Sequence, residues 1–194
     1  MASVFPFDLI LASASPRRAE LLRSAGITDF RIIPAPDVEE LDAKSIYVHS
    51  IALQNSEMKA AAVADLYPDS VVIGADTVIE FENTTIGKPA SEQHAIEILS
   101  ALSGKTHETV TGVSIISRNR NIRILFTDVS TVTFKPFDET VIREYMQKVH
   151  VLDKAGAYAI QEHGEMLIQS VEGSISNIIG LPVDRVADAL KNLI

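Results

Sequence analysis

Thr109-Val110-Thr111-Gly112-Val113-Ser114-Ile115-Ile116 and the run from Ile122 to Phe134 are both rich in β-branched residues, and only Ser117-Arg118-Asn119-Arg120-Asn121 separates them. So short a polar connection can turn the chain back on itself. It cannot carry a parallel crossover, which takes about a dozen residues or more. The pair is therefore expected to be an antiparallel hairpin. A second hairpin is expected around Gly164, from Ala157 to Gln161 and from Met166 to Val171. Upstream, Val71 to Ile79 reads as a strand with Gly74 inside it, Asn83 lies near a turn, and Lys88-Pro89 ends that unit. Short strands are expected at Leu9 to Ala12 and Phe30 to Pro34.

Helices fall between these strands. Ser15 before Pro16 is a helix-start signal, and that helix should turn Leu21, Leu22 and Ala25 inward and stop at Gly26. Ser45 to Ala64 carries Val48, Ile51, Ala52, Met58 and Ala62 at helical spacing. Ser91 should cap a helix through Leu102 closed by Gly104, Asp138 one to Lys148, and Gly180-Leu181-Pro182 should lead into a last helix from Val183 to Leu193. The expected fold class is mixed α/β, with a largely antiparallel sheet and flanking helices. A chain of 194 residues, without an internal repeat or low-complexity linker, fits a single domain spanning 1–194, or two intimate lobes.

Composition narrows the chemistry. The chain is 46% hydrophobic and 22% charged, the balance of a globular protein with a sizeable core. It has no cysteine, which removes disulfides, thiolate metal sites and cysteine nucleophiles, and is compatible with a reducing cytoplasm. Met1 to Phe7 lacks the basic and apolar regions of a secretory signal, and no apolar run approaches the roughly 18 residues of a membrane helix. The net charge of −9 makes the chain a poor general partner for nucleic acid, so a phosphate-bearing ligand must meet a local basic cluster.

Three segments carry such chemistry. In Leu11-Ala12-Ser13-Ala14-Ser15-Pro16-Arg17-Arg18 two arginines sit in the first turn of a helix. The helix terminus already carries about half a positive charge, so they fit best if an anion binds there; otherwise they are solvated surface groups. Asp76, in Gly74-Ala75-Asp76-Thr77, interrupts an apolar strand. A buried carboxylate must be paired or metal-bound, and Asp76 is a candidate cation ligand, a candidate base on water, or a structural turn residue. Glu40 is a possible partner carboxylate and Lys88 a further candidate, although each alone reads as a solvated charge. Asp153 to Gln161 combines a charge pair, small residues and the amide of Gln161, which can read a base edge or simply end a strand. The five histidines show no metal-ligand spacing, His94 and His107 reading as surface or structural, and neither common glycine-rich phosphate loop is present.

Taken together and in order, LILASASPRRAELL from Leu9, VEE from Val38, VVIGADTVI from Val71, IGKP from Ile86, LSGKTHETVTGVSI from Leu102, DKAGAYAIQ from Asp153 and IIGLP from Ile178 resemble the Maf family of nucleotide pyrophosphatases over almost the whole chain. The resemblance implies an elongated, twisted sheet in two lobes around a cleft, similar to the inosine-triphosphate pyrophosphatases. It implies cleavage of nucleoside triphosphates between the α- and β-phosphates with magnesium or manganese, often by a homodimer. The expected location is cytoplasmic. By position, Asp76 matches the family's catalytic base, and Glu40 and Lys88 other catalytic positions. Asp76 or Glu40 would hold the metal. Arg17, Thr77 and Gln161 match positions linked to substrate choice, and Ser13 and Arg18 the rest of the cleft.

The AYAIQ segment resembles the branch that prefers dTTP and UTP. The alternatives are 7-methyl-GTP or a modified pyrimidine nucleotide as substrate, or a nucleotide-binding regulator of septum formation that has lost turnover. Two stretches depart from the family pattern. Ser174-Ile175-Ser176-Asn177 stands where an aromatic is common, and Leu53-Gln54-Asn55-Ser56-Glu57-Met58 before Lys59 is unusually polar.

Overall fold

The computed structural model describes residues 5–36, 41 and 48–194. Within them the elements run β1 (Leu9–Leu11), α1 (Pro16–Ser24), β2 (Arg31–Ile32), α2 (Val48–Leu66), β3 (Val71–Phe81), β4 (Thr84–Ile86), α3 (Glu92–Leu102), β5 (Thr106–Ser117), β6 (Ile122–Phe134), α4 (Glu139–Lys148), β7 (Ile168–Glu172), α5 (Ile175–Ile179) and α6 (Val183–Lys191). The seven strands form one sheet in the order β2-β1-β3-β5-β6-β7, with β4 pairing to β3 beside that path. β1 runs parallel to β2 and β3, joined through α1 and α2; the other pairings are antiparallel. The fold class read from the sequence is the one observed. The β5–β6 hairpin forms as expected, and β5 starts three residues earlier, at Thr106.

Side-chain alternation along the strands sorts the core into layers. Leu9, Leu11, Val71, Ile73 and Ala75 point to one face and pack against α1 and α6 through Ala19, Leu22, Val186 and Leu190. Ile10, Ala12 and Val72 point to the other face and meet Ala60, Val63 and Ala64 of α2. A second core gathers at the far end of the long strands, where Ile79, Val132 and Phe134 pack with α3, α4, Tyr145 and Tyr158. The two cores are the two lobes, and β3, β5 and β6 run through both.

α2 lies unusually close to the sheet. A Cβ on Gly74 would stand 2.3 Å from the carbonyl oxygen of Ser56, and one on Gly112 would stand 2.3 Å from the backbone of Ala52. The contact face of α2 is accordingly small and partly polar. Ala52, Asn55, Ser56, Ala60, Val63 and Ala64 are buried, whereas Met58 and Ala62, expected inside, are half-buried.

Three other expectations are corrected. Ala25 is exposed, because α1 ends one residue before it and Ile27 takes the inward place. β2 is only two residues long. The hairpin expected around Gly164 does not form. Ala157, the first residue of the expected strand, has φ 63°, which an extended strand cannot contain, and with Gly156 and His163, at φ 68° and 53° on either side of it, the segment is bent into turns and 3₁₀ helices. Its second half survives as β7, paired with β6 instead. β4 and α5 were not anticipated; Ser174 caps α5 by accepting from the Asn177 N–H.

Gly112→Ala should lower stability by about 1–3 kcal/mol, since the added methyl meets rigid backbone rather than a movable side chain. Urea unfolding measures it; an unchanged midpoint would mean that α2 is not seated on the sheet as described.

Candidate active site

β3 pairs with β1 only as far as Ile73 and with β4 only from Ile79. Between them, Gly74 to Val78 have no strand neighbour on that edge among the described residues, while the other edge stays paired to β5. The gap lies just past the C-terminal end of β1, a usual place for ligand crevices in sheets with parallel strands. A cavity of about 770 Å³ opens there. Because side chains alternate, Asp76 faces α2 and Thr77 faces α1, and the open edge lets both reach the same cavity.

Asp76 is 7% exposed. Lys59 Nζ donates to its Oδ1 at 2.7 Å and Asn55 Nδ2 to its Oδ2 at 3.2 Å. A carboxylate buried in an apolar strand is tolerable because both oxygens have donors.

On the other face, Arg18 is the fastener. Its Nε donates to the Gly180 carbonyl at 2.8 Å, Nη1 to Ser13 Oγ at 3.2 Å and Nη2 to Thr77 Oγ1 at 3.3 Å. Thr111 gives its single hydroxyl proton to the Asn177 carbonyl at 3.1 Å, so in the 2.9 Å bond between the two threonines Thr77 is the donor. Ser15 sits at the start of α1 but its hydroxyl caps nothing; Ser13 Oγ instead accepts the Ser15 N–H at 3.2 Å.

Arg17 reaches across the mouth to Asp153 at 3.3 Å. Burial works against charge on Asp153, but hydrogen bonds and charge from Lys154 and Arg17 outweigh it and hold its carboxyl below the usual range. Lys154 is 5% exposed and donates to the His150 carbonyl and to Asp153. Lys88 and Gln161 are exposed at the rim of the cavity.

The structure thus brings Ser13, Arg17, Arg18, Asp76, Thr77, Lys88 and Gln161 to one cavity, while Glu40 lies outside the described residues. Five cationic side chains (Arg17, Arg18, Lys59, Lys88, Lys154) line it against two carboxylates (Asp76, Asp153) among the described residues. On a chain with a net charge of −9, that is the local basic cluster a polyanion requires. Sequence reasoning missed Asn55 as a partner of Asp76. The polar run before Lys59 was its visible trace. Among the described residues, His49, Glu80 and Glu108 form a group with ligand atoms within 4.8 Å of one another, but it does not line this cavity. No helix in the described residues is long and apolar enough to cross a membrane.

The family model described as Maf-like protein matches residues 8–193. A dTTP/UTP pyrophosphatase of Akkermansia muciniphila is 48% identical over 187 residues, covering 95% of this chain and 96% of that protein. One of Bacillus cereus (strain AH820) is 42% identical over 186 residues, covering 94% of each. The chain belongs to the Maf-like protein family. The solved nucleoside-triphosphatase (dITP/XTP pyrophosphatase) of Mycobacterium abscessus aligns with a TM-score of 0.41 at 12% identity, over 66% of this chain and 72% of that one.

Next to Tyr158, which lines the cavity, His107 is 2% exposed, and its Nε2 shares a 2.9 Å hydrogen bond with Tyr158 Oη. Burial pushes His107 down from 6.5 to about 4 and raises the Tyr158 hydroxyl. The native state therefore holds His107 neutral while the unfolded chain takes up a proton below pH 6.5. Its contribution is intact above 6.5 and is lost as pH falls from 6.5 towards 4, by roughly 3 kcal/mol at most. His107→Gln should flatten the fall in stability between pH 7 and about 4 relative to wild type in urea unfolding; parallel curves for the two proteins would refute it.

Proposed function

We propose that this chain hydrolyses dTTP and UTP to the nucleoside monophosphate and pyrophosphate. The observation that carries the reading is that relatives matching it over nearly their whole length, at 48% and 42% identity, are dTTP/UTP pyrophosphatases. The site chemistry agrees with it: one buried carboxylate, surrounded by cationic groups and the N-terminus of α1, opens on a single cavity.

In this reading Arg17, Arg18 and Lys88 bind the triphosphate and offset the charge that builds on the departing pyrophosphate. Arg17 can do so while keeping Asp153, because a guanidinium has five N–H donors. Asp76 orients a water against the α-phosphorus. The water oxygen bonds to phosphorus, the α–β bridging oxygen leaves with pyrophosphate, and the water's proton passes to Asp76. Lys59, at 2.7 Å, holds the carboxylate in place. Ser13 and Thr77 hold Arg18 in place.

A divalent cation, magnesium or manganese, belongs to the same proposal. The Asp76 carboxylate is a hard oxygen donor and the triphosphate supplies more, which is the donor set these ions take. Asp76, with Glu40, would hold the ion, which would supply charge neutralisation at the phosphates. A homodimer, resting on the family resemblance, and a cytoplasmic location, with which the cysteine-free composition is compatible, complete the reading.

Gln161 stands at the rim, where its amide can meet the base. Uracil and thymine present carbonyl acceptors beside an N–H donor. Cytosine exchanges one acceptor for a donor, and once the bound base shields Gln161 from water the unpaired group costs about 1–3 kcal/mol, or roughly 5- to 150-fold in selectivity.

A panel of dTTP, UTP, CTP, GTP and 7-methyl-GTP with magnesium tests this through product identity and kcat/KM. Monophosphate plus pyrophosphate, fastest from dTTP and UTP, is expected; diphosphate plus orthophosphate, or a preference for 7-methyl-GTP, overturns it. Gln161→Ala should narrow the gap between UTP and CTP, and an unchanged ranking clears Gln161 of that role. Asp76→Asn should lower kcat by about 10² or more with the fold intact, and turnover within about tenfold of wild type rejects the catalytic assignment. Arg17→Ala should weaken kcat/KM on every nucleotide alike, and a loss confined to one base would argue against phosphate binding.

A further inference from the structure

The polar stretch before Lys59 has a consequence for Asp76. Asn55 is 3% exposed on the inner face of α2. Its Oδ1 accepts the Leu41 N–H at 2.9 Å, while Nδ2 donates to Asp76 Oδ2 at 3.2 Å and lies 3.5 Å from the Leu41 carbonyl oxygen. The chemistry fixes which end is which: a backbone N–H needs an acceptor and a carboxylate needs a donor, so the amide has one satisfactory orientation.

Asn55 and Lys59 are four residues apart, one helical turn, and so lie on the same face. Each holds a different oxygen of Asp76. One donor alone would leave the carboxylate plane free to swing, because its terminal torsion is broad and only weakly staggered. Two donors on two oxygens fix the plane, and with it the direction of the lone pairs left for a water or cation.

We infer that Asn55 is a positioning residue for the hydrolysis: it locks the carboxylate plane of Asp76 and, with the same amide, fastens the backbone at Leu41 to the site. The inference rests on Asp76 being the catalytic carboxylate. A small misplacement of such a group is felt in the chemical step more than in ground-state binding. Asn55 lines the same cavity as the cationic side chains, but its amide is taken up by Asp76 and the Leu41 backbone, so it serves the aim of the carboxylate.

The test is a double-mutant cycle on the full chain, with UTP and saturating magnesium, using Asn55→Ala, Asp76→Asn and the combined variant. Urea unfolding of each variant runs alongside. Asn55→Asp is a fourth variant: it keeps the size and the acceptor for the Leu41 N–H but turns the donor facing Asp76 into an oxygen. In Asn55→Ala and Asn55→Asp, kcat should fall about tenfold or more while KM for UTP stays within about threefold. In single-turnover reactions with excess enzyme, the combined variant should be no slower than Asp76→Asn alone, because Asn55 has then nothing to position.

If Asp76→Asn is nearly inactive but both Asn55 variants keep kcat within about twofold of wild type, the positioning role is wrong and the reading of Asp76 stands. An Asn55→Ala loss that recurs in full in the Asp76→Asn background shows a purely structural residue and also overturns the role. If Asp76→Asn itself turns over within about tenfold of wild type, the reading of Asp76 fails first and this inference falls with it.

Discussion

The near contact between the backbone of α2 and two glycines of the sheet governs the rest of this molecule. Gly74 on β3 and Gly112 on β5 leave no side chain where Ser56, Ala60 and Ala52 pass. Any other residue at these places would push the helix outward. With the helix seated, Asn55 and Lys59 reach Asp76 at hydrogen-bonding distance. A helix held an ångström or two further away would leave a buried carboxylate without donors, which costs several times a typical net hydrogen bond. The glycines thus tie stability and chemistry together: the packing that seats the helix also makes a charged group in the middle of the sheet affordable.

The second constraint is the interrupted edge of β3. In a continuous sheet, adjacent residues on a strand face opposite sides and cannot serve one site. Here β1 stops at Leu11 and β4 starts pairing only at Ile79, so the edge between them is open. Asp76 brings the α2 face to the opening, and Thr77 brings the α1 face through Arg18. The Thr77–Thr111–Asn177 chain of hydrogen bonds then links that arginine to α5. Long strands running through both lobes hold the two walls in register.

Electrostatics follow from this placement. The chain as a whole is acidic, yet the described walls of the cavity carry five cations against two carboxylates. Like charges crowded round one cavity repel one another, and Asp76 and Asp153 relieve part of that through Lys59, Arg17 and Lys154. The arrangement favours a ligand with several negative charges that can replace water among the cations. It also explains why the first turn of α1 holds two arginines where the helix dipole disfavours them: each has an anionic or carbonyl partner drawn from far along the chain.

The sequence by itself determined the element types wherever a local signal was strong. The five-residue turn before Ile122 dictated an antiparallel hairpin, Ser91 and Asp138 marked helix starts that their side chains do cap, and the apolar run around Asp76 announced an unusual buried acid. It also named Ser13, Arg17, Arg18, Asp76, Thr77, Lys88 and Gln161, which meet at one cavity. Local signals failed where backbone conformation overrode composition, as at Gly156, Ala157 and His163, whose positive φ values turned an expected strand into tight turns. Glu40 lies outside the described residues. Only the tertiary structure decided that Asp76 and Thr77 share one opening, that Arg18 is held by Gly180, and that Asn55 faces a carboxylate 21 residues away. The physical reason is that periodicity reports which face of its own element a side chain occupies. Which partner waits on that face depends on how closely two elements approach, and here two glycines set that distance.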